Sequence, residues 1–299
     1  IETIARQLCN GAGHEIVIHE AKHQVPMPSV ATLGTILEQL KTVLFPGYYG
    51  ASDIRPETLM FRIGATLDEV TRALSEQIRR GFCFVCAYGD EVDCRDCDER
   101  ADRLSRQFME TLPSIRKLLS LDALAAYEGD PAALNPGETI YCYPSMVALT
   151  HHRIAHELYR LKVPLIPRII SETAHSKTGI DIHPGARIAE RFFMDHGTGI
   201  VIGETTVIGA NVRLYQGVTL GAKSFPLDVE GKPIKGIHRH PEVEDDVIIY
   251  AGATILGQIK IGRGAVIGGN VWVTRDIAPG TRILQGEHVE TSFSDGSGI

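Results

Sequence analysis

The chain has 299 residues, a formal net charge of −7 and a hydrophobic content of 43%. This length accommodates two ordinary domains, and the composition is typical of a soluble globular protein. An acidic chain is not expected to bind nucleic acid in general. No stretch approaches the roughly 18 apolar residues of a membrane helix, and no charged-then-apolar leader opens the sequence. We therefore expect a cytoplasmic protein whose six cysteines are mostly reduced.

The first part of the chain has the periodicity of amphipathic helices. Apolar residues return at three- and four-residue spacing in four segments, which are 31–44, 56–80, 98–119 and 145–161. The turn-forming stretches Phe45-Pro46-Gly47 and Asn135-Pro136-Gly137 predict breaks between helices. This pattern predicts an all-helical N-terminal domain over residues 1–178.

After Gly179 the helical period gives way to an aliphatic residue at every sixth position. These residues form three runs, which are Ile182, Ile188, Met194 and Ile200, then Ile202, Ile208, Leu214 and Leu220, then Val243, Ile249, Ile255, Ile261, Ile267 and Val273. A period of six is typical of the flat face of a β-helix coil. We therefore predict a parallel β-helix over residues 179–284, with the aliphatic side chains pointing inward.

Two segments lie outside this repeat. Residues 222–239 are rich in Gly, Lys and Pro, which predicts a loop extruded from the coils. Residues 285–299 are polar and lack aliphatic anchors, so we expect a flexible C-terminal tail.

Polar clusters interrupt the repeat at three places. They are Asp181-Ile182-His183-Pro184, then Asp195-His196-Gly197-Thr198-Gly199, then His238-Arg239-His240-Pro241. A carboxylate beside a histidine can orient the ring and make it more basic. A single such histidine is more often a surface or capping residue, but three clusters in one repeat domain favour an active site.

The helical part also holds two Cys-x2-Cys pairs, Cys83 with Cys86 and Cys94 with Cys97. This spacing is compatible with zinc, although the segment between the pairs is short for most structural sites. Reduced thiols or a labile disulfide are the alternatives, so these four residues are only conditional zinc candidates.

Taken in order, the motifs resemble those of bacterial serine O-acetyltransferase over roughly residues 121–284. The resemblance is carried by the three polar clusters, by Gln216-Gly217-Val218-Thr219-Leu220-Gly221, by Asp130-Pro131-Ala132-Ala133, by Tyr143-Pro144 and by His152-Arg153-Ile154-Ala155-His156-Glu157-Leu158. It implies an α + β architecture in which the helical domain is followed by a left-handed parallel β-helix.

The resemblance also implies an acyltransferase activity. Members of this family transfer acetyl from the co-substrate acetyl-CoA to the hydroxyl of L-serine and require no catalytic metal. The product is O-acetyl-L-serine, an intermediate of cysteine biosynthesis, and L-cysteine occupies the serine site as a feedback inhibitor.

Three residues have the catalytic roles that the resemblance implies. His196 fits the general base that activates the serine hydroxyl. Asp181 fits the carboxylate that orients His196 and stabilises its imidazolium form. His240, or backbone N–H groups, would stabilise the tetrahedral oxyanion.

Further residues are candidates for binding. Arg239 fits the amino acid carboxylate, whereas Asp130 and Asp195 fit its ammonium group. The groove beside the loop would hold the acetyl-CoA arm and phosphates, with Gly221, Ala222, Lys223 and Lys235 as candidates. The lysines are assigned from charge alone, and ordinary solvated loop lysines are the alternative.

The positions of two histidines bear on assembly. One narrow prism cannot easily bring His196 and His240 to one substrate, so we expect a homotrimer with active sites between neighbouring β-helices. As a further expectation, the helical domain pairs two trimers into a hexamer. The terminal Asp295-Gly296-Ser297-Gly298-Ile299 resembles the family tail whose last isoleucine enters the active site of O-acetylserine sulfhydrylase.

Other classes of function remain open at this point. A hexapeptide acetyltransferase for a sugar or xenobiotic would lack the Asp130 pocket and carry a different residue at Arg239. A metal-centred β-helix of the γ-carbonic-anhydrase type is suggested by the histidines, but His238-x-His240 does not suit ligands from stacked faces. The last alternative is a non-catalytic β-helix scaffold that only binds partners.

Overall fold

The computed structural model describes residues 1–10, 17–19, 25–51, 53–86 and 96–286. The chain divides into two compact units, Ile1–Ser114 with Glu157–Ile170, and Ile115–His156 with Ser171–Ile299. In the described residues, no helix is both long and apolar enough to cross a membrane. The helices found there are α1 (Glu2–Asn10), α2 (Val30–Leu44), α3 (Pro56–Cys86), α4 (Cys97–Gly129), α5 (Pro136–Cys142), α6 (Pro144–Arg160) and α7 (Ile166–Thr178).

The first unit is built on a pair of packed helices, α2 and α3. Ser29 caps α2, since its hydroxyl accepts a hydrogen bond from the Thr32 N–H at 3.1 Å. The backbone N–H of Ser29 donates to Gln77 of α3 at 2.7 Å, and Gln77 is buried. Leu37 and Leu40 of α2 are also buried, so the predicted apolar face forms this core.

The four predicted helical segments are confirmed, with longer ends for two of them. α3 continues to Cys86 and α4 continues through Pro113 to Gly129. The predicted break at Asn135-Pro136-Gly137 is instead a helix start, because Asn135 accepts from the Glu138 N–H at 3.0 Å and Pro136 occupies the first turn. Asn, Pro and Gly are common both in turns between helices and at the first residues of a helix, so the sequence alone did not distinguish the two.

The second unit contains the β-helix. Its strands are β1 (Asp181–Ile182), β2 (Arg187–Ile188), β3 (Phe193–Asp195), β4 (Val201–Ile202), β5 (Val207–Ile208), β6 (Arg213–Tyr215), β7 (Thr219–Gly221), β8 (Glu242–Val243), β9 (Ile248–Ile249), β10 (Thr254–Leu256), β11 (Lys260–Ile261), β12 (Val266–Ile267), β13 (Trp272–Val273) and β14 (Arg282–Ile283).

These strands form three parallel sheets, one for each face of a triangular prism. The first sheet has the order β1-β4-β7-β10-β13, the second β2-β5-β8-β11 and the third β3-β6-β9-β12-β14. Equivalent anchors stack in register, as in Ile182 on Ile202 and Met194 on Leu214. Of the predicted aliphatic anchors, all but Ile188 are buried, which confirms a core formed by the six-residue period.

The repeat is interrupted at one corner. The successive anchors Met194 of β3 and Ile202 of β4 are eight positions apart rather than six. Ile200, which the period predicted as an anchor, is buried but lies outside the strands. The two additional residues lengthen the connection that contains His196, and this accounts for the change of phase in the sequence.

The extruded loop falls where the sequence predicted it. Strand β7 ends at Gly221 and β8 begins at Glu242. Within the loop, Leu227 and Pro233 form an antiparallel bridge, and the Ile234 N–H donates to the Pro226 carbonyl at 2.9 Å. The loop is therefore folded back on itself outside the prism.

A buried ion pair joins the helices of the second unit to its first coil. The Arg153 guanidinium contacts Asp122 at 2.7 and 2.9 Å and donates to the Ala189 carbonyl at 3.0 Å. The Phe192 N–H donates to Asp122 at 3.0 Å. Burial raises the pKa of Asp122, while Arg153 opposes that shift. This pair fixes the end of α4, which leads into Asp130, against the β-helix.

Secondary structure changes from helix to strand between Thr178 and Asp181. The limits 1–178 and 179–284 remain predictions as domain boundaries. The tail predicted at 285–299 lies outside the described residues except for its first two.

Candidate active site

Asp130 is the first site residue positioned by the helices. It follows α4, and its carboxylate accepts a short hydrogen bond from the Tyr143 hydroxyl and one from the Ala132 N–H at 2.8 Å. These bonds, led by that of Tyr143, lower the pKa of Asp130, and a positive charge on His196 lowers it further. Asp130 is thus held as a carboxylate within electrostatic range of His196.

Tyr143 is a further candidate site residue, which the sequence analysis quoted only as part of the Tyr143-Pro144 motif. It packs against the buried cluster of Ala125, Ala126 and Phe193. Burial and the hydrogen bond to Asp130 raise the pKa of Tyr143, and the charge of Asp195 acts in the same direction. Tyr143 therefore stays a neutral hydroxyl donor beside two carboxylates.

His196 is the first residue of the connection between β3 and β4. Its backbone has φ of 57°, in the left-handed region that non-glycine residues seldom adopt. Gly197 and Gly199 follow with φ of 82° and 80°. Because of this turn, the His196 side chain projects outward and is 70% exposed.

The nearest carboxylate to His196 within the described residues belongs to Asp195, with Oδ1 3.9 Å from Nε2. Asp181, the predicted orienting residue, lies in β1 and pairs in register with Val201. Among the described residues, Asp181 makes neither a hydrogen bond nor an ion pair with His196. We call Asp130, Tyr143, Asp195 and His196 the His196 corner.

A second polar group surrounds His240, at the end of the extruded loop. Thr205 organises it, because its hydroxyl oxygen accepts from the N–H groups of Arg239 at 3.0 Å and His240 at 3.2 Å. The Arg239 guanidinium contacts the Glu204 carboxylate at 2.7 Å. We call Glu204, Thr205, Arg239 and His240 the His240 corner.

The tautomer of His240 follows from its partners. The Thr205 backbone N–H, which can only donate, approaches Nδ1 at 3.1 Å, and the Thr205 hydroxyl lies 2.8 Å from the same atom. Burial, followed by the charge of Arg239, lowers the pKa of His240 to about 4. The ring is therefore neutral near pH 7, with Nδ1 as acceptor and Nε2 carrying the proton.

Gly203 makes room for this ring. A Cβ at Gly203 would lie 2.1 Å from Cδ2 and 2.2 Å from Nε2 of His240. Since no side chain fits that distance, the glycine is required for His240 to lie flat against the coil.

The two groups lie on different edges of the prism. His196 connects the third sheet to the first, whereas Glu204, Thr205 and His240 connect the first sheet to the second. Asp130 and Asp195 share the edge of His196, and Arg239 shares that of His240. The predicted catalytic and amino-acid-binding residues other than Asp181 thus fall into two groups, the His196 corner and the His240 corner.

The predicted co-substrate residues follow the His240 edge into the loop. Gly221 ends β7, and a Cβ there would meet Leu256 at 2.9 Å. The Cβ of Lys223 lies 3.3 Å from where a Cβ at Gly257 would be. Lys223 and Lys235 are both exposed. Binding of acetyl-CoA beside these residues remains a prediction.

The cysteines considered as zinc ligands belong to the helical first unit. Cys83, Cys86 and Cys97 are buried, whereas Cys94 lies outside the described residues. In the part of the chain that is described, no group of three or more His, Cys, Asp or Glu side chains has a metal-binding arrangement. The zinc hypothesis for the four cysteines stays a prediction.

Comparison with known proteins identifies the family. Residues 240–275 match the model of the bacterial transferase hexapeptide, six repeats. The plasmid-encoded serine acetyltransferase of Synechococcus elongatus is 51% identical over 92% of this chain and 86% of its own length.

Solved structures agree with this match. Serine acetyltransferase isoform 3 of Entamoeba histolytica, in complex with cysteine, aligns with a TM-score of 0.73 and 33% identity over 98% of this chain and 93% of its own. The Neisseria gonorrhoeae serine acetyltransferase, in complex with serine, aligns with a TM-score of 0.55 and 27% identity over 89% and 98%. The predicted fold, helices followed by a left-handed parallel β-helix, is confirmed. The chain belongs to the serine acetyltransferase family.

Proposed function

We propose that the His196 corner of one chain and the His240 corner of a neighbouring chain together transfer acetyl from acetyl-CoA to the hydroxyl of L-serine. The observation that carries this proposal is that the His196 corner and the His240 corner lie on different edges of one prism. One edge holds an exposed imidazole with carboxylates, and the other holds a guanidinium with a neutral imidazole donor. A second prism alongside the first brings these complementary halves together.

The chemistry begins at His196. Its imidazole accepts the proton of the serine hydroxyl, and the oxygen attacks the thioester carbonyl of acetyl-CoA. The tetrahedral intermediate collapses with release of the CoA thiolate, which takes the proton from the His196 imidazolium. The exposure of His196 suits this role, because the ring must reach a bound substrate.

A carboxylate is needed to stabilise the imidazolium form of His196. The sequence predicts Asp181 for this role, and Asp195 lies 3.9 Å from the ring in the single chain. We retain Asp181 as the orienting residue and assign Asp195 to the substrate ammonium, together with Asp130. The Tyr143 hydroxyl holds Asp130 as a carboxylate for that purpose.

Arg239 and His240 complete the site from the neighbouring chain. Arg239 pairs with Glu204 through one nitrogen, which leaves further N–H groups for the carboxylate of the amino acid. The neutral His240 offers its Nε2 proton to the oxyanion as it forms. A donor that carries no charge before the reaction and is fixed by Thr205 requires little reorganisation.

A turnover assay tests the proposal. We expect the purified chain to release CoA thiol from acetyl-CoA with L-serine and not with a galactoside acceptor. Turnover with the galactoside alone would overturn the proposed substrate.

L-cysteine is proposed as an inhibitor at the same site, because it differs from L-serine only in its thiol. Both ligands then depend on Arg239 for their carboxylate. Loss of this bidentate contact is worth on the order of 2–5 kcal/mol when buried. Serine affinity and cysteine inhibition should fall together in Arg239→Ala, and loss of only one would show that the ligands use different sites.

The proposed assembly is a homotrimer, with a hexamer of two trimers as its extension. Acetyl-CoA would lie in the groove near Gly221, Ala222, Lys223 and Lys235, between the coils and the loop. No metal is assigned to catalysis, and a cytoplasmic location is part of the proposal.

The partner O-acetylserine sulfhydrylase is proposed from the terminal residues. Ile299 lies outside the described residues, so this assignment stands on the sequence. Deletion of Ile299 should abolish binding to the sulfhydrylase in calorimetry and leave acetyl transfer intact. Unchanged binding of the shortened chain would contradict it.

A further inference from the structure

The second unit contains a cavity that the proposed reaction does not use. Its volume is about 320 Å³, and its walls include Glu128, Arg191, Phe193, Asn211, Val212 and Arg213. It opens at the start of β3 and β6, at the opposite end of these strands from Asp195. Two guanidinium groups and one carboxylate give the wall a net positive charge.

The two arginines of this cavity differ in their partners. Arg191 contacts Glu128 at 2.5 Å and donates to the Asn211 side-chain oxygen at 2.6 Å. Arg213 instead places its guanidinium 5.6 Å from the centre of the Phe193 ring. In the described part of the chain, the Arg213 guanidinium makes no hydrogen bond or ion pair. The cavity thus holds one half-buried cation that pairs with no carboxylate of the described residues.

The end of α4 leaves room for the Arg213 side chain. A Cβ at Gly129 would lie 2.8 Å from Nη2 of Arg213 and 2.7 Å from Cδ1 of Phe193. Either contact would displace the arginine or the ring. The absence of a side chain at Gly129 therefore keeps the guanidinium in the cavity, against the face of Phe193.

We propose that this cavity binds a small organic carboxylate. The planar Arg213 guanidinium matches a carboxylate with two parallel hydrogen bonds. A single negative charge balances the net charge of the wall, and Ala125, Phe193 and Val212 offer an apolar surface to a short hydrocarbon tail. This combination favours a carboxylate with an alkyl tail over an inorganic oxyanion, which has no apolar part.

The cavity also adjoins the residues that support the His196 corner. Phe193 packs in one cluster with Ala125 and Ala126, and Tyr143 lies against that cluster. A ligand on Phe193 therefore contacts the same apolar cluster that supports the Tyr143 to Asp130 hydrogen bond. The binding proposal itself does not depend on the identity of the reaction.

Calorimetric titration of the full chain with sodium butyrate tests the proposal. Butyramide, a neutral molecule of the same shape, and sodium sulfate at equal ionic strength are the comparison ligands. We expect butyrate to bind saturably and at least about tenfold more tightly than butyramide or sulfate. Equal binding of butyramide, tighter binding of sulfate, or no saturable binding of butyrate would overturn the proposal.

Variants locate the site. Arg213→Gln should weaken butyrate binding at least about tenfold, whereas Arg282→Gln, an exposed arginine on the far strand of the same sheet, should leave it unchanged. Glu128→Gln removes the opposing charge and should tighten binding severalfold, which guards against a misfolded Arg213 variant. Butyrate binding that is the same in all three variants would show that Arg213 serves only to pack the end of α4.

Discussion

The two corners of the β-helix place the same side chain in opposite environments. His196 is 70% exposed, lies on a left-handed backbone and has carboxylates around it. His240 is 7% exposed, lies flat on Gly203 and is held neutral by burial and by Arg239. An exposed imidazole near carboxylates is suited to accept and return a proton, whereas a buried neutral one is suited to donate a fixed hydrogen bond. Residue type alone does not distinguish these roles, and the environment does.

The largest effect should come from removing the base. His196→Ala is expected to lower kcat by at least about 10²-fold with little change in the KM for serine. Asp181→Asn should lower kcat as well, because the amide favours the wrong tautomer of the ring. Steady-state kinetics with acetyl-CoA and L-serine measures both, and near-normal turnover by His196→Ala would remove His196 from the mechanism.

The second effect tests the packing at the other corner. Gly203→Ala places a methyl group 2.1 Å from the His240 ring and must displace it. We expect a loss of about 1–3 kcal/mol in the free energy of unfolding, as in other overpacked sites, together with reduced kcat. Gly64→Ala is the control, because a Cβ there meets nothing within 4 Å. A Gly203 variant as stable and active as the control would show that the ring position is unimportant.

A smaller effect should follow from the loss of one hydroxyl. Tyr143→Phe removes the main donor to Asp130 and should raise the KM for serine about 3- to 10-fold, the usual worth of one hydrogen bond. Tyr141→Phe, an exposed neighbour on α5, serves as the matched control.

The pH dependence of activity distinguishes a positioning role of Tyr143 from a purely structural one. Asp130 must be ionised to bind an ammonium group, and the Tyr143 hydrogen bond lowers its pKa. In Tyr143→Phe the pKa rises toward its ordinary value, so serine affinity should begin to fall at a higher pH on acidification. A pH profile of kcat/KM that coincides with that of the parent chain would argue against Tyr143 as a positioning residue.

Much of the fold could be predicted from sequence, because the six-residue period and the apolar core are the same feature. The longer connection that contains His196 is also visible in the sequence, because the six-residue spacing of aliphatic residues shifts between Met194 and Ile202. The Asn135-Pro136 helix start was missed because caps and breaks share residue types. The candidate site residues were named from motifs, whereas their hydrogen-bond and ion-pair partners were not. Tyr143 for Asp130 and Glu204 for Arg239 depend on contacts across 13 and 35 residues, which no local pattern encodes.

The most direct test of the shared site mixes two inactive chains. His196→Ala and Arg239→Ala variants are dissociated, combined in equal amounts and reassembled, and acetyl transfer is compared with each variant alone. If the site combines His196 of one chain with Arg239 of its neighbour, random trimers contain intact sites at about one interface in four. The account predicts recovery of about a quarter of the parent activity. Mixed assemblies that stay as inactive as the separate variants would contradict it.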